Sequence, residues 1–392
     1  MNKRTVRARM SRRDFLKAGL AGTTSALLMG AGLTEAVQRH PASEPFVFPK
    51  PVYRTLGRTG LKITVVGFGA MLTPEAEVIR FAFEHGVNYV DTARKYMDGR
   101  NEEIVGKALK GWRDKVYVAT KTLPASNSKE DITRDVETSL KTLQTDHIDV
   151  IQLHNLMDKE RAFIPETREA LVRLREQGKV RFFGVTTHKN QPEVLKAITE
   201  DPESFFDTAL VAYNFKSDKS TVEAIARASQ AKIGIVAMKT QAGGYATAEL
   251  GSISPHQAAL KWALQNTNIT AAIPGMKDMA ELREDIAVMG TSFTYADERI
   301  LRRYGAAIEP RYCHLCGKCE ASCPEGVEIS TINRSLMYAE GYNSPELARA
   351  TYREIPPAAS ASACSECPGC AARCVNGLAI AAKMQQARKL LA

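Results

Sequence analysis

Residues 91–109 read DTARKYMDGRNEEIVGKAL, and residues 116–122 read VYVATKT. The apolar run VNYVD at 87–91 reads as a buried strand that ends on Asp91. Tyr96 follows in a loop of charged residues and a glycine. A helix from about Asn101 to Lys110 then places Ile104, Val105, Ala108 and Leu109 on one apolar side. VYVAT delivers Lys121 at its end, and IDVIQLH at 148–154 delivers His154 at its end. An acid, a phenol, an amine and an imidazole therefore stand at or just beyond the ends of three successive strands. In a parallel barrel those ends converge on one face, and that face carries the chemistry.

The same alternation extends in both directions. ITVVGFG, NYVDT, VYVAT, IDVIQLH, RFFGVTT, TALVAYN, GIVAMKT and ITAAIPG read as strands. Between them, stretches such as EAEVIRFAFEHG, EDITRDVETSLKTLQ, REALVRLREQG, VEAIARAS, PHQAALKWALQN and MAELREDIAVMG repeat apolar residues every three or four positions. Several end in Gly, the usual residue after a helix. Eight β/α units in about 240 residues predict an α/β chain built on a (β/α)8 TIM barrel. A doubly wound open sheet is the competing fold, but no G-x-G-x-x-G opens a helix after any strand.

Such a quartet suits general acid catalysis. A phenol ordinarily keeps its proton to a pKa of about 10, and a lysine to about 10.4. A nearby ammonium stabilises phenolate and lowers the phenol's pKa. A carboxylate paired with Lys121 keeps the lysine charged and oriented, while His154 shares the proton or steers a carbonyl oxygen. The arrangement predicts that Tyr96 protonates a carbonyl oxygen while hydride reaches the carbon. Singly, each residue has a structural reading: Asp91 a cap, Lys121 a solvated strand end, His154 a satisfied core histidine. Four together at consecutive strand ends favour the chemical one.

These motifs resemble the aldo-keto reductases. The resemblance runs over roughly residues 53–290 and rests on DTARKYMDGRNEEIVGKAL, VATKT, LKTLQTDHIDVIQLHN and IPGMKDMAELRED; YRTLGRTGLKITVVGFGAM at 53–71 is similar to the family's opening hairpin and first strand. It implies a catalytic tetrad of Asp91, Tyr96, Lys121 and His154, with NADP(H) or NAD(H) as hydride carrier. It also implies that Thr186, Thr187, Met238 and Lys277 bind the nucleotide. Thr186 and Thr187 replace a Ser-Asn pair found in many relatives. Leu210 stands where relatives often have glutamine, and Met238 where many have an aromatic residue that stacks on nicotinamide. Lys277 is placed to contact a 2′-phosphate, whereas Glu281, near a position often held by arginine, would repel one.

The chain has 392 residues and a formal net charge of +9, of which +6 falls in residues 1–40. The basic balance therefore belongs to a leader and argues against a nucleic-acid partner. That leader contains SRRDFLK, with Arg12 and Arg13 ahead of Phe15, Leu16 and Lys17, then a weakly apolar run from Ala18 to Leu33. The run is too short and too rich in Gly, Ser and Thr for a comfortable membrane span. The pattern resembles a twin-arginine export signal over residues 1–36, followed by a proline-rich linker over 37–52. It predicts a periplasmic or otherwise exported protein that touches a membrane only through an uncleaved leader.

All eight cysteines lie beyond the barrel, in two copies of C-x2-C-x2-C-x3-C: Cys313, Cys316, Cys319 and Cys323, then Cys364, Cys367, Cys370 and Cys374. Pro324 follows the first motif and Val375 the second. Disulfides and zinc are alternative uses of such cysteines, but three evenly spaced thiols plus a fourth, twice over, fit two [4Fe–4S] clusters. In two-cluster ferredoxins the fourth cysteine ligates the other cluster. The expected partition is Cys313, Cys316, Cys319 and Cys374 for one cluster, and Cys364, Cys367, Cys370 and Cys323 for the other. The segment between the motifs reads as helical, so the region resembles the helical two-cluster ferredoxin module.

The sequence thus predicts a barrel over residues 53–295 and a small, mainly helical iron–sulfur domain over 296–392. The expected partners are a small carbonyl or alcohol substrate and an electron-transfer protein. A competing class is an electron-transfer or binding protein whose barrel is a scaffold, because hydride moves two electrons at once and each cluster passes one.

Overall fold

A computed structural model describes residues 46–122, 126–247, 250, 253–365 and 367–392. The leader and residues 37–45 of the linker lie outside the described residues. No helix among the described residues is long and apolar enough to cross a membrane.

The chain enters through an antiparallel hairpin of β1 (Tyr53–Thr55) and β2 (Lys62–Thr64). Eight parallel strands follow in sequence order around one sheet: β3 (Phe68–Gly69), β4 (Tyr89–Asp91), β5 (Tyr117–Thr122), β6 (Ile148–Leu153), β7 (Val180–Thr187), β8 (Thr208–Ala212), β9 (Gly234–Met238) and β10 (Ala271–Ala272). ITVVGFG, read as one strand, is divided between the hairpin and β3. The ring closes through single backbone bonds. Gly67 N donates to Ala272 O (2.9 Å), Ala272 N to Val65 O (2.9 Å) and Gly69 N to Pro274 O (3.0 Å). The closure needs Gly69, because a Cβ there would stand 2.6 Å from Pro274 O.

Each barrel strand is followed by a helix: α1 (Ala76–Glu84), α2 (Arg100–Leu109), α3 (Lys129–Leu143), α4 (Pro165–Glu176), α5 (Gln191–Thr199), α6 (Lys219–Gln230), α7 (Pro255–Gln265) and α8 (Met279–Ile286). Ser128 and Asp218 cap α3 and α6 by accepting from Asp131 N and Thr221 N. Alternation along the strands divides the core into two layers. Val118, Ile151, Phe183, Val185 and Ile235 face outward and pack with Val136, Leu171 and Ile225 of the helices. Tyr89, Ala119, Val150, Leu210 and Val236 face inward, and Leu56 and Ile63 of the hairpin close that layer from below. The next inward positions, at the carboxyl ends, are polar on β4 to β7 (Asp91, Lys121, Gln152 and Thr186) and apolar on β8 and β9 (Ala212 and Met238).

After the barrel, α9 (Tyr295–Ile308) packs Ile300 and Leu301 against Ala258 and Ala259 of α7. Three helices follow: α10 (Ile329–Glu340), α11 (Pro345–Tyr352) and α12 (Ile380–Leu390). Their core contains Ile332, Leu336, Tyr352, Ile380 and Met384, and it also takes in Ala242 and Tyr245 from the loop after β9. Residues 46–392 therefore form one compact unit, with α10 laid over the carboxyl ends of the strands. The approach is close: a Cβ on Gly341 would stand 2.0 Å from Gly243 O.

Candidate active site

Asp91 and Lys121 are the inward residues at the ends of β4 and β5, and both are buried. Lys121 Nζ donates to Asp91 Oδ1 and to Thr92 O (2.7 Å). Gln152 Nε2, inward on β6, donates to Asp91 Oδ2 (2.9 Å), so both carboxylate oxygens are engaged. Gln152 was not singled out from sequence, though it stands two residues before His154 and so on the same face. Burial raises the Asp91 carboxyl, with Lys121 holding it down; burial lowers the Lys121 ammonium, with Asp91 holding it up.

Tyr96 sits in the turn before α2 with Lys121 Nζ 4.8 Å from its ring centroid. The His154 ring meets it edge to face, 5.9 Å between centroids at 81°. All four residues expected at the mouth are thus brought together. One expectation about them is reversed. Burial pushes the Tyr96 phenol well above its usual range, and Asp91 pushes in the same direction. Lys121 is already neutralised by Asp91, so little of its charge is left to stabilise phenolate. Burial, then Lys121 and Arg334, drive His154 well below its ordinary value and leave it neutral.

Residues of the C-terminal helices complete this mouth, and no sequence signal pointed to them. Arg334 of α10 is buried and donates through Nη1 to Asn155 Oδ1 (3.3 Å). Lys239, just after β9, donates through Nζ to the Tyr338 hydroxyl (3.0 Å) and lies over its ring at 4.6 Å. Burial opposes ionisation of Tyr338, yet Lys239 and Arg334 bring its phenol below the ordinary value. Lys95 pairs with Glu354 (2.5 Å), and Lys189 pairs with Glu320.

The match to the aldo/keto reductase family runs over residues 73–250. That span takes in most of the barrel, which resembles the barrels of aldo-keto reductases. Over 307 residues the chain is 27% identical to L-galactose dehydrogenase of Arabidopsis thaliana, covering 66% of this chain and 94% of that one. It is 36% identical over 168 residues to the aldo-keto reductase YhdN of Bacillus subtilis, covering 37% of this chain and 50% of the relative. An aldo/keto reductase from Klebsiella pneumoniae, crystallised with NADP and acetate, superposes with a TM-score of 0.55 at 26% identity. That likeness covers 65% of this chain and 95% of the other. The chain is accordingly an aldo-keto reductase-like oxidoreductase.

The positions expected to hold nucleotide divide. Thr186 points into the barrel, where its Oγ1 accepts from Asn155 N (2.7 Å). Met238 also faces inward at the mouth, half-buried against the inner layer. Thr187 lies one residue further along β7 and so points the other way, donating to Leu156 O and Lys189 O. It is fully buried there. Lys277 is paired to Glu281 through Nζ (2.9 Å), and its backbone N–H also donates to Glu281 (2.8 Å). The mouth nevertheless keeps buried polar atoms without partners among the described residues: His188 Nδ1, Gln191 Oε1 and Thr240 Oγ1. A polar ligand would satisfy them.

The eight cysteines are free thiols. Burial pushes the Cys313 thiol up to about 12, and Cys319, Cys316 and Cys374 stand near enough to raise it further. Cys364 is raised by burial and then by Cys323, Cys367 and Cys370. The neighbours therefore fall into the two crossed sets. The backbone ties the motifs as well, through Arg373 N donating to Ser322 Oγ (3.4 Å). No three His, Cys, Asp or Glu side chains among the described residues are arranged to hold one metal ion. A single tetrahedral zinc draws thiolates to within about 3.8 Å of one another, whereas a cubane spreads its four ligands around a larger body.

Proposed function

We propose that this protein is an exported oxidoreductase that reduces a small carbonyl compound, or oxidises the corresponding alcohol. It would use NADP(H), or NAD(H), and carry two [4Fe–4S] clusters beside its barrel. The observation that carries the reading is the convergence of Asp91, Lys121, Tyr96 and His154 at the barrel mouth. The bound nicotinamide supplies the hydride. Asp91 and Gln152 fix the Lys121 ammonium beneath the Tyr96 ring. Tyr96, with its pKa raised, holds its proton and can give it to a carbonyl oxygen. Neutral His154 can donate a hydrogen bond to the same oxygen through its one N–H. Thr186 and Met238 are the inward residues suited to face the nicotinamide.

Support for a phosphorylated nucleotide comes from the Klebsiella pneumoniae relative, crystallised with NADP. Export is supported by the paired arginines and the apolar run of residues 1–36. The twin-arginine route is consistent with cofactors assembled before export. The clusters, which pass single electrons, serve a step separate from hydride transfer and exchange electrons with a partner protein. A second reading has one observation in its favour. Thr187 faces away and Lys277 is already paired, as in a barrel that scaffolds clusters without turning over nucleotide.

Anaerobic purification from the export compartment, with iron, sulfide and nucleotide analysis, separates the two. The enzyme reading expects eight irons, eight sulfides, retained nicotinamide nucleotide and carbonyl-dependent oxidation of NADPH. Clusters without retained or turned-over nucleotide would establish the scaffold instead.

A further inference from the structure

The mouth is left with more positive charge than the protein neutralises. Arg334 is 6% exposed; among the described residues its Nε has no partner and its one bonded neighbour is the neutral amide of Asn155. Among the described residues Lys239 donates to the Tyr338 hydroxyl and lies over the Tyr338 and Tyr342 rings, with no carboxylate paired to it. Arg161 donates to the backbone oxygens of His154 and Asn155 (both 3.4 Å). The nearby acids are spent: Asp91 on Lys121 and Gln152, Glu354 on Lys95, and Glu320 on Lys189. A buried guanidinium without a carboxylate is costly, and structures retain such groups where a ligand completes them. Space is available beside Lys239, which with Gln191 lines a cavity of about 420 Å³ that reaches Cys313 and Cys316.

We infer that Arg334 and Lys239 bind an anionic group of the substrate, so that the compound reduced at Tyr96 is an oxo acid. The inference rests on the carbonyl chemistry proposed above and adds the substrate class. A carboxylate suits the planar fork of arginine, which donates two parallel hydrogen bonds to it. The position suits a small molecule, because Arg334 is bonded to Asn155, the residue next to His154. The module would then be part of the active site, with α10 selecting the substrate.

The test is calorimetric titration of the holoprotein with 4-oxobutanoate and, separately, with its uncharged amide. The wild type is expected to prefer the acid by roughly 30-fold, the scale of a charge-assisted pair. Arg334→Met is expected to cut that preference at least fivefold, and Arg334→Lys to retain part of it. Titration with NADP+ distinguishes the source of the anion. If Arg334→Met weakens NADP+ as much as it weakens the acid, the group holds a nucleotide phosphate and the inference is overturned. No preference in the wild type, or one that survives Arg334→Met, overturns it too. Should Arg334→Met not fold, Lys239→Met is judged by the same ratio. Tyr96→Phe separates this inference from the reading beneath it: the acid preference is expected to persist in that variant, whatever its turnover.

Discussion

The barrel and the C-terminal helices are packed from different materials. Between strands and helices the barrel sets Val118, Ile151, Phe183 and Ile235 against Val136, Leu171 and Ile225, a continuous apolar layer. The module has three short helices, of 12, 8 and 11 residues. Its core combines Ile332, Leu336 and Met384 with the buried Cys319 and the partly buried Cys313, Cys323, Cys364, Cys370 and Cys374. Helices of this length are marginal alone, and a thiol contributes less apolar area than a leucine. The barrel can therefore stand on burial, whereas the module would depend on the clusters proposed for it. The difference also divides labour: the barrel's strand ends set the reacting groups, and the module covers them and adds the cation Arg334.

The largest expected effect tests that contrast. Stripping iron with a chelator under anaerobic conditions should unfold the module and leave the barrel, because ligand binding and folding are coupled in small metal domains. Hydrogen exchange is expected to rise across residues 310–392 while strands β5 to β9 stay protected. Unchanged protection in the module would mean that its apolar core suffices.

A smaller effect sharpens the picture of how the module is tied together. Cys323→Ser is expected to alter the same cluster's electron paramagnetic signal as Cys367→Ser, and a different one from Cys316→Ser. If Cys323→Ser and Cys316→Ser alter one signal, each motif keeps its own cluster.

Acidification probes the seam between the regions. His154 and His188 are both held well below the ordinary imidazole value of 6.5, by burial first and then by cations that include Arg334. Below pH about 6.5 the unfolded chain takes up protons that the folded chain refuses, so stability falls as pH falls. Urea denaturation at pH 7 and pH 5.5 should differ by on the order of 1 kcal/mol per histidine, and His188→Gln should remove part of the slope. A flat profile would mean that the histidines are solvated. Tyr96 has the opposite sign. Its phenol is held well above 10, so reduction should not lose its proton donor as pH rises to about 9.

The smallest effect lies at the barrel rim. Glu281→Arg frees Lys277 from its partner and replaces a repelling charge, so preference for NADPH over NADH should rise about three- to tenfold. An unchanged preference in steady-state kinetics would put the 2′-phosphate elsewhere.

Much of the barrel was legible because each strand and helix carries its own periodicity, and the site because Asp91, Lys121 and His154 stand at strand ends. The opposite orientations of Thr186 and Thr187 follow from the strand's alternation, which a pair read side by side in sequence does not display. The rise in the Tyr96 pKa depends on how deeply the phenol is buried, which spacing does not reveal. Arg334 and Tyr338 were illegible for another reason: they meet Asn155 and Lys239 across long stretches of chain, through a fold-back with no local signal. The last helix, α12, did carry one, in the buried Ile380, Met384, Ala387 and Leu391.

The most direct test of the claim that the mouth delivers a proton from Tyr96 is single-turnover oxidation of bound NADPH by a carbonyl acceptor. It is followed at the nicotinamide absorbance in wild-type and Tyr96→Phe proteins with equal cluster content. The account predicts a fall in rate of about 10² to 10⁴ with nucleotide affinity retained. A rate within twofold of wild type would contradict it.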